Sequence, residues 1–171
     1  NPDGDETAYT IDVRREGDVR WRRLVTKNGR PITTTKYKWN TETFPDGYYQ
    51  VRVTASDHPA NPANRAVRTE RITPLFLVDN HKPALRGISV RFPSVSVRAT
   101  DGMSAIAEAA FSVDDGPWQL VAPDDGVFDG LSEMLLFRLP SNLAPGMHTL
   151  AIRAADEAGN IGSDSVTFEV R

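Results

Sequence analysis

Apolar side chains recur at every second position along much of this chain. Val51, Val53 and Ala55 alternate with Gln50, Arg52 and Thr54, and Leu150, Ile152 and Ala154 repeat the pattern. A period of two puts the apolar set on one side of an extended strand and the polar set on the other, so each run predicts a strand with one buried face. The same alternation marks Tyr9-Ile11-Val13, Val90-Phe92, Val95-Val97, Leu135-Phe137-Leu139 and Val166-Phe168-Val170. Turn-forming clusters separate the runs: Glu16-Gly17-Asp18, Lys27-Asn28-Gly29, Pro45-Asp46-Gly47, Asp114-Asp115-Gly116, Pro123-Asp124-Asp125-Gly126 and Ala158-Gly159-Asn160. The best helical candidate is Met103–Ala110, but Ala107, Ala109 and Phe111 continue an alternation toward Val113, which predicts a loop entering a strand. Short strands with turns at this spacing predict an all-β sandwich architecture.

The pattern occurs twice. Gly47 opens GYYQVRVTASDHPAN and Gly146 opens GMHTLAIRAADEAGN, an offset of 146 − 47 = 99. Asp57 and Asn61 in the first copy match Asp156 and Asn160 in the second. Trp21 and Trp118 lie upstream at an offset of 118 − 21 = 97. A repeat this long is a duplicated domain, since solenoid repeats run roughly 20–50 residues. The predicted domains are 1–80 and 81–171, joined near Val78-Asp79-Asn80-His81-Lys82-Pro83 by a linker whose shortness and proline limit free swinging.

The copies are unequal. Between Lys82 and Trp118 there is room for two strands, whereas only 20 residues precede Trp21. The first domain is therefore expected to lack its first two strands and to expose apolar side chains and strand edges. Another segment is expected to supply them, either an upstream piece of the same polypeptide or another copy of the chain.

The residues carry a resemblance. NPDGDETAYTIDVRREGDVRWRRL resembles the middle of a fibronectin type III-like domain of the kind found in large exported bacterial proteins, with Asn1 where that family has Asp. PDGYYQVRVTASDHPANP followed by FLVDN is similar to its closing strands. SVDDGPWQLV and APGMHTLAIRAADEAGN are similar to bacterial Ig-like domains that follow β-propellers in exported or sensor proteins. The resemblance implies two tandem Ig/fibronectin III-like β-sandwiches, an extracellular or periplasmic location, and a role as spacer, stabiliser or adhesion unit. It also implies that Tyr49 and His148, which hold matching places, are corner residues hydrogen-bonded to nearby backbone.

Composition narrows the chemistry. The chain has no cysteine, which excludes disulfides and thiolate metal sites. The net charge is −3; residues 1–79 carry 13 basic and 11 acidic side chains, too weak an excess for nucleic acid. No apolar run approaches the roughly 20 residues that span a bilayer. The N-terminus is polar and lacks a signal-peptide segment, so the chain is expected to start after any targeting signal or inside a longer protein. His58, His81 and His148 share no metal-binding spacing, and no Gly-x-Ser-x-Gly elbow occurs; no catalytic residue and no cofactor are expected. Asp3, Asp5, Asp124, Asp125 and Asp129 are weak calcium candidates on loops, while Asp57, Asn61, Asp156 and Asn160 read as turn-stabilising side chains. Trp21 and Trp118 read as core or inter-sheet residues because they recur in both copies. Trp39, beside Tyr37, has no counterpart and is the candidate for an exposed aromatic platform. The expectation is a non-catalytic structural or interaction module of an exported protein, positioning or capping a neighbouring domain. The alternative is a carbohydrate-binding module that stacks sugar on Trp39 and Tyr37.

Overall fold

The computed structural model describes residues 6–26, 28–62 and 64–171. It is all-β, with no helix among those residues, and divides into two compact units, residues 1–78 and 79–171.

The first unit is built from β1 (Ala8–Arg15), β2 (Arg22–Leu24), β3 (Gly47–Ser56), β4 (Arg68–Ile72) and β5 (Phe76–Val78). They form one antiparallel sheet in the order β2-β1-β3-β4, with β5 also on β3. The β1–β3 ladder runs from Ala8 opposite Ser56 to Arg15 opposite Tyr49. That register sets Tyr9 against Ala55, Ile11 against Val53 and Val13 against Val51, so the alternating apolar residues of the two strands share one face. β4 and β5 are two parts of one edge. They are separated around Pro74, which has no N–H to give the ladder, while Thr73 stays tied to Val51 by two hydrogen bonds of 2.9 and 3.0 Å.

The second unit contains β6 (Ala84–Arg91), β7 (Ser94–Thr100), β8 (Ile106–Val113), β9 (Gln119–Val121), β10 (Ser132–Arg138), β11 (Gly146–Asp156) and β12 (Ile161–Val170). Three strands in the order β10-β7-β6 face four in the order β12-β11-β8-β9. Val95, Val97, Ala99 and Leu135 from the first sheet meet Phe111, Leu150, Ile152 and Ala154 from the second in one buried core. Phe111 and Phe137 stack across it at 4.7 Å between ring centres. The 103–110 stretch does enter a strand, but the alternation holds only in part: β8 buries Ala109 and Phe111, while Ala107 is exposed and Ala110 and Ser112 on the opposite face are buried too. Gly162 is fixed by close approach, since a Cβ there would lie 1.8 Å from the Pro83 carbonyl oxygen.

The second unit is thus a complete sandwich of the expected kind, and the first is more reduced than its sequence suggests. Besides the two strands expected to be absent, the counterpart of β10 is absent too. Between β2 and β3 the only pairing among the described residues is an isolated bridge of Ile32 to Tyr9. In the second unit β10 takes its ladder from β7. Where no counterpart of β7 is present, a counterpart of β10 has no ladder to join. The first unit is therefore a single sheet.

Candidate functional site: the open face of the first unit

The face shared by Tyr9, Ile11, Val13, Val51, Val53 and Ala55 is covered at one end only. There Trp39 and Phe44, from the segment between β2 and β3, pack edge-on: Trp39 lies 4.8 Å from Phe44, 5.7 Å from Tyr49 and 6.3 Å from Phe76. Such T-shaped contacts place ring edges against ring faces and add to the burial of Tyr49. At the other end a groove of about 280 Å³ remains, lined chiefly by Ile11, Leu24, Ile32, Tyr37, Trp39 and Val53. The duplication gives a direct measure of what is uncovered. Leu150, Ile152 and Ala154 of β11 are each 0% exposed. Their counterparts at an offset of 99, Val51, Val53 and Ala55 of β3, are all partly exposed.

Trp39 is half-buried and its indole N–H is buried with no hydrogen-bond partner, while Tyr37 is 37% exposed. The faces these rings turn to the groove are flanked by aliphatic residues and by Thr34 and Thr35.

The structure corrects the reading of the paired tryptophans. They occupy matching environments, but outside the sheets rather than in the core. Trp118 is 43% exposed and lies under the Arg153 guanidinium at 4.5 Å. Trp21 lies between Arg14 and Arg52, each at 4.6 Å. Cation–π stacking on the outer face explains their recurrence as well as a core position would have. Beneath this layer Asp12 is 3% exposed and receives Arg23 at 3.0 Å and Arg52 at 3.1 Å. Burial pushes its carboxyl up, yet the two guanidiniums hold it below the usual carboxylate range.

Tyr49 and His148 make the same bond. Tyr49 Oη donates to the Pro45 carbonyl at 2.7 Å, and His148 Nε2 donates to the Ala144 carbonyl at 2.7 Å, each reaching back four residues. His148 Nδ1 faces Asp114 Oδ2 at 2.6 Å. A carbonyl and a carboxylate both only accept, so the arrangement favours the form of the imidazole that carries a proton on each nitrogen. The bond to Asp114 and then that to Ala144 raise the His148 pKa, and the same histidine, with the Thr149 N–H, lowers that of Asp114.

The turn residues differ between copies. Asp156 holds Asn160 through two bonds of 2.8 and 2.9 Å. Asp57 sends its carboxylate forward to the Val67 N–H at 2.8 Å, while the Asn61 N–H reaches the Asp57 carbonyl. Of the calcium candidates, Asp3 and Asp5 lie outside the described residues. Asp124, Asp125 and Asp129 are exposed and form no three-carboxylate group among the described residues; Asp125 caps the Val127 N–H within its own turn. The acids that do converge are Asp79, Asp101 and Asp156, with oxygens within 4.8 Å of one another, a grouping that sequence spacing does not reveal. Ser104 Oγ donates to Asp79 Oδ2 at 2.6 Å, and Asn160 Nδ2 donates to Asp156 Oδ2 at 2.9 Å and to the Asp79 carbonyl at 3.1 Å, the last tying the β11–β12 turn to the start of the unit. Oδ2 of Asp101 is buried with no partner. His58 and His81 are exposed.

Among the described residues the chain forms one closed two-sheet β-sandwich and one single-sheet unit with an open face. No family model matches the chain, and no curated protein matches it in sequence. In structure it is similar to fibronectin(III)-like modules of Clostridium thermocellum CbhA, at 16% identity and a TM-score of 0.44, covering 96% of this chain and 78% of that one. It is also similar to the FN1–FN3 domains of chicken CNTN1, at 16% identity and a TM-score of 0.45, covering 98% of this chain and 56% of that one. Among the described residues no helix is long and apolar enough to cross a membrane.

Proposed function

We propose that this chain is a non-catalytic interaction and spacer module of an exported protein, in which the first unit is completed by strands from outside 1–171 and the second stands alone. The observation that carries this reading is the contrast across the duplication: the same three strand positions are sealed in one unit and partly exposed in the other. An uncovered apolar sheet face marks a contact surface. The occupant supported best is a segment of the same polypeptide preceding β1, because two of the three strands that close the equivalent face of the second unit, β6 and β7, precede β8. With its face covered, the first unit would serve to position a neighbouring domain.

Hydrogen exchange on the whole chain tests the reading. Amides of β1 and β3 are expected to exchange at least about tenfold faster than those of β8 and β11, and an apolar-surface dye is expected to bind. Equal protection in both units with no dye binding would show a face that closes on its own, and the reading would fail.

A further inference from the structure

We infer that residues 33–39 are a latent third strand, which folds only when a β-hairpin docks on the open face of the first unit. The inference rests on the proposed function, and it adds which residues of this chain receive the partner and what the partner looks like.

The segment Thr33-Thr34-Thr35-Lys36-Tyr37-Lys38-Trp39 holds β-branched and aromatic residues, no glycine and no proline. That composition favours a pleated, half-buried surface, yet the segment lies in no strand. Such a conflict between local preference and observed state is what an incomplete fold leaves behind. The register follows from the duplication. Offsets of 97 at the tryptophans and 99 at β3 bracket the segment, and the intermediate value is 98. At 98, Tyr37 falls on Leu135 and Trp39 on Phe137, since 135 − 37 = 98 and 137 − 39 = 98. Leu135 belongs to the core of the second unit and Phe137 packs against it. Offsets of 97 or 99 would turn Lys36 and Lys38 inward instead. The present position of Trp39, with its N–H buried and unpaired, and the exposure of Tyr37 agree with a pair of aromatics not yet in their final places.

The occupant is a two-stranded hairpin of the β6–β7 kind. Its inner strand carries small aliphatic residues at alternate positions, as Val95, Val97 and Ala99 do, and pairs antiparallel with 33–39 as β7 does with β10. Its outward residues are set by charge. At an offset of 98, Lys36 and Lys38 take the places of Met134 and Leu136, whose partners on β7 are Arg98 and Ser96. Both lysines are exposed, so the docking strand is expected to bring acidic residues to those two places.

The test uses residues 3–171 with a copy of residues 84–100 joined ahead of Asp3, the copy carrying R98E and S96E. Residues 101–105 link β7 to β8, and residues 3–7 then form a link of the same length to β1. Hydrogen exchange is read with and without the added hairpin. Protection of 33–39 is expected to rise at least about tenfold, together with that of β1 and β3, and Trp39 emission is expected to shift to shorter wavelength. If β1 and β3 gain protection while 33–39 stays unchanged, the latent strand is refuted and the open-face reading survives. If neither gains protection, both fall. A second copy carrying lysine at both places is expected to protect 33–39 less; equal protection would refute the charge pattern of the docking strand.

Discussion

His148 shows how one side chain can keep a fold contact and add a charge to it. Tyr49 makes the corner bond in the first unit without titrating near neutrality, whereas His148 makes it with a ring whose charged form Asp114 favours. Its folded pKa lies above the ordinary 6.5, so its stabilisation is complete below that value and is lost as pH rises through the higher folded one. Asp114 runs the other way. Its folded pKa lies below 3.8, so its share is complete above 3.8 and is lost as pH falls through the lower folded value. Both contributions are present between the two ordinary values. The second unit is therefore expected to melt higher at about pH 6 than at about pH 8. H148Y, which keeps a donor for the Ala144 carbonyl, is expected to flatten that slope. Melting curves of the two proteins across this range decide the matter; an unchanged slope in H148Y would remove His148 as its source.

At the scale of the element, most strands were legible from alternation, although β4 is exposed throughout and β8 buries Ala110 and Ser112 as well as Ala109 and Phe111. Alternation placed β1, β3, β7, β8, β10, β11 and β12, and it separated β8 from a helix although the stretch is rich in alanine. The side of the sheet on which Trp21 and Trp118 lie was not legible, because both stand just before a short edge strand, where alternation has no phase to assign. The arginines at outward positions, Arg14, Arg52 and Arg153, were the available signal. The absence of a third strand over 33–39 was also hidden, since sequence reports a segment's preference and not whether its ladder partner is present. These differences give an expected energetic asymmetry. Ile152→Ala empties a fully enclosed position and is expected to cost about 2–5 kcal/mol. V53A, at the matching place on β3, removes two methyl groups that are only partly buried and is expected to cost no more than about 1 kcal/mol. Denaturant titrations of both variants measure the two values, and similar losses would mean that the face over β3 is sealed after all.

For the whole molecule the decisive quantity is how much apolar surface each unit removes from water. Fifteen apolar residues are buried in the core of the second unit. In the first, the buried apolar residues among those described are Ile11, Val13, Ile32, Tyr49 and Val78. Folding must offset roughly 1–2 kcal/mol of backbone entropy per ordered residue, and a single sheet with one partly covered face has little to set against it. Calorimetry of the whole chain is therefore expected to show two transitions rather than one, with the first unit melting at the lower temperature. Only that lower transition is expected to rise when a docking hairpin is present, because a ligand stabilises the state that binds it and leaves an independent unit unmoved. A single cooperative transition unaffected by the hairpin would mean that the two units share their stability, and that what the open face lacks in its own unit is made up elsewhere in the chain.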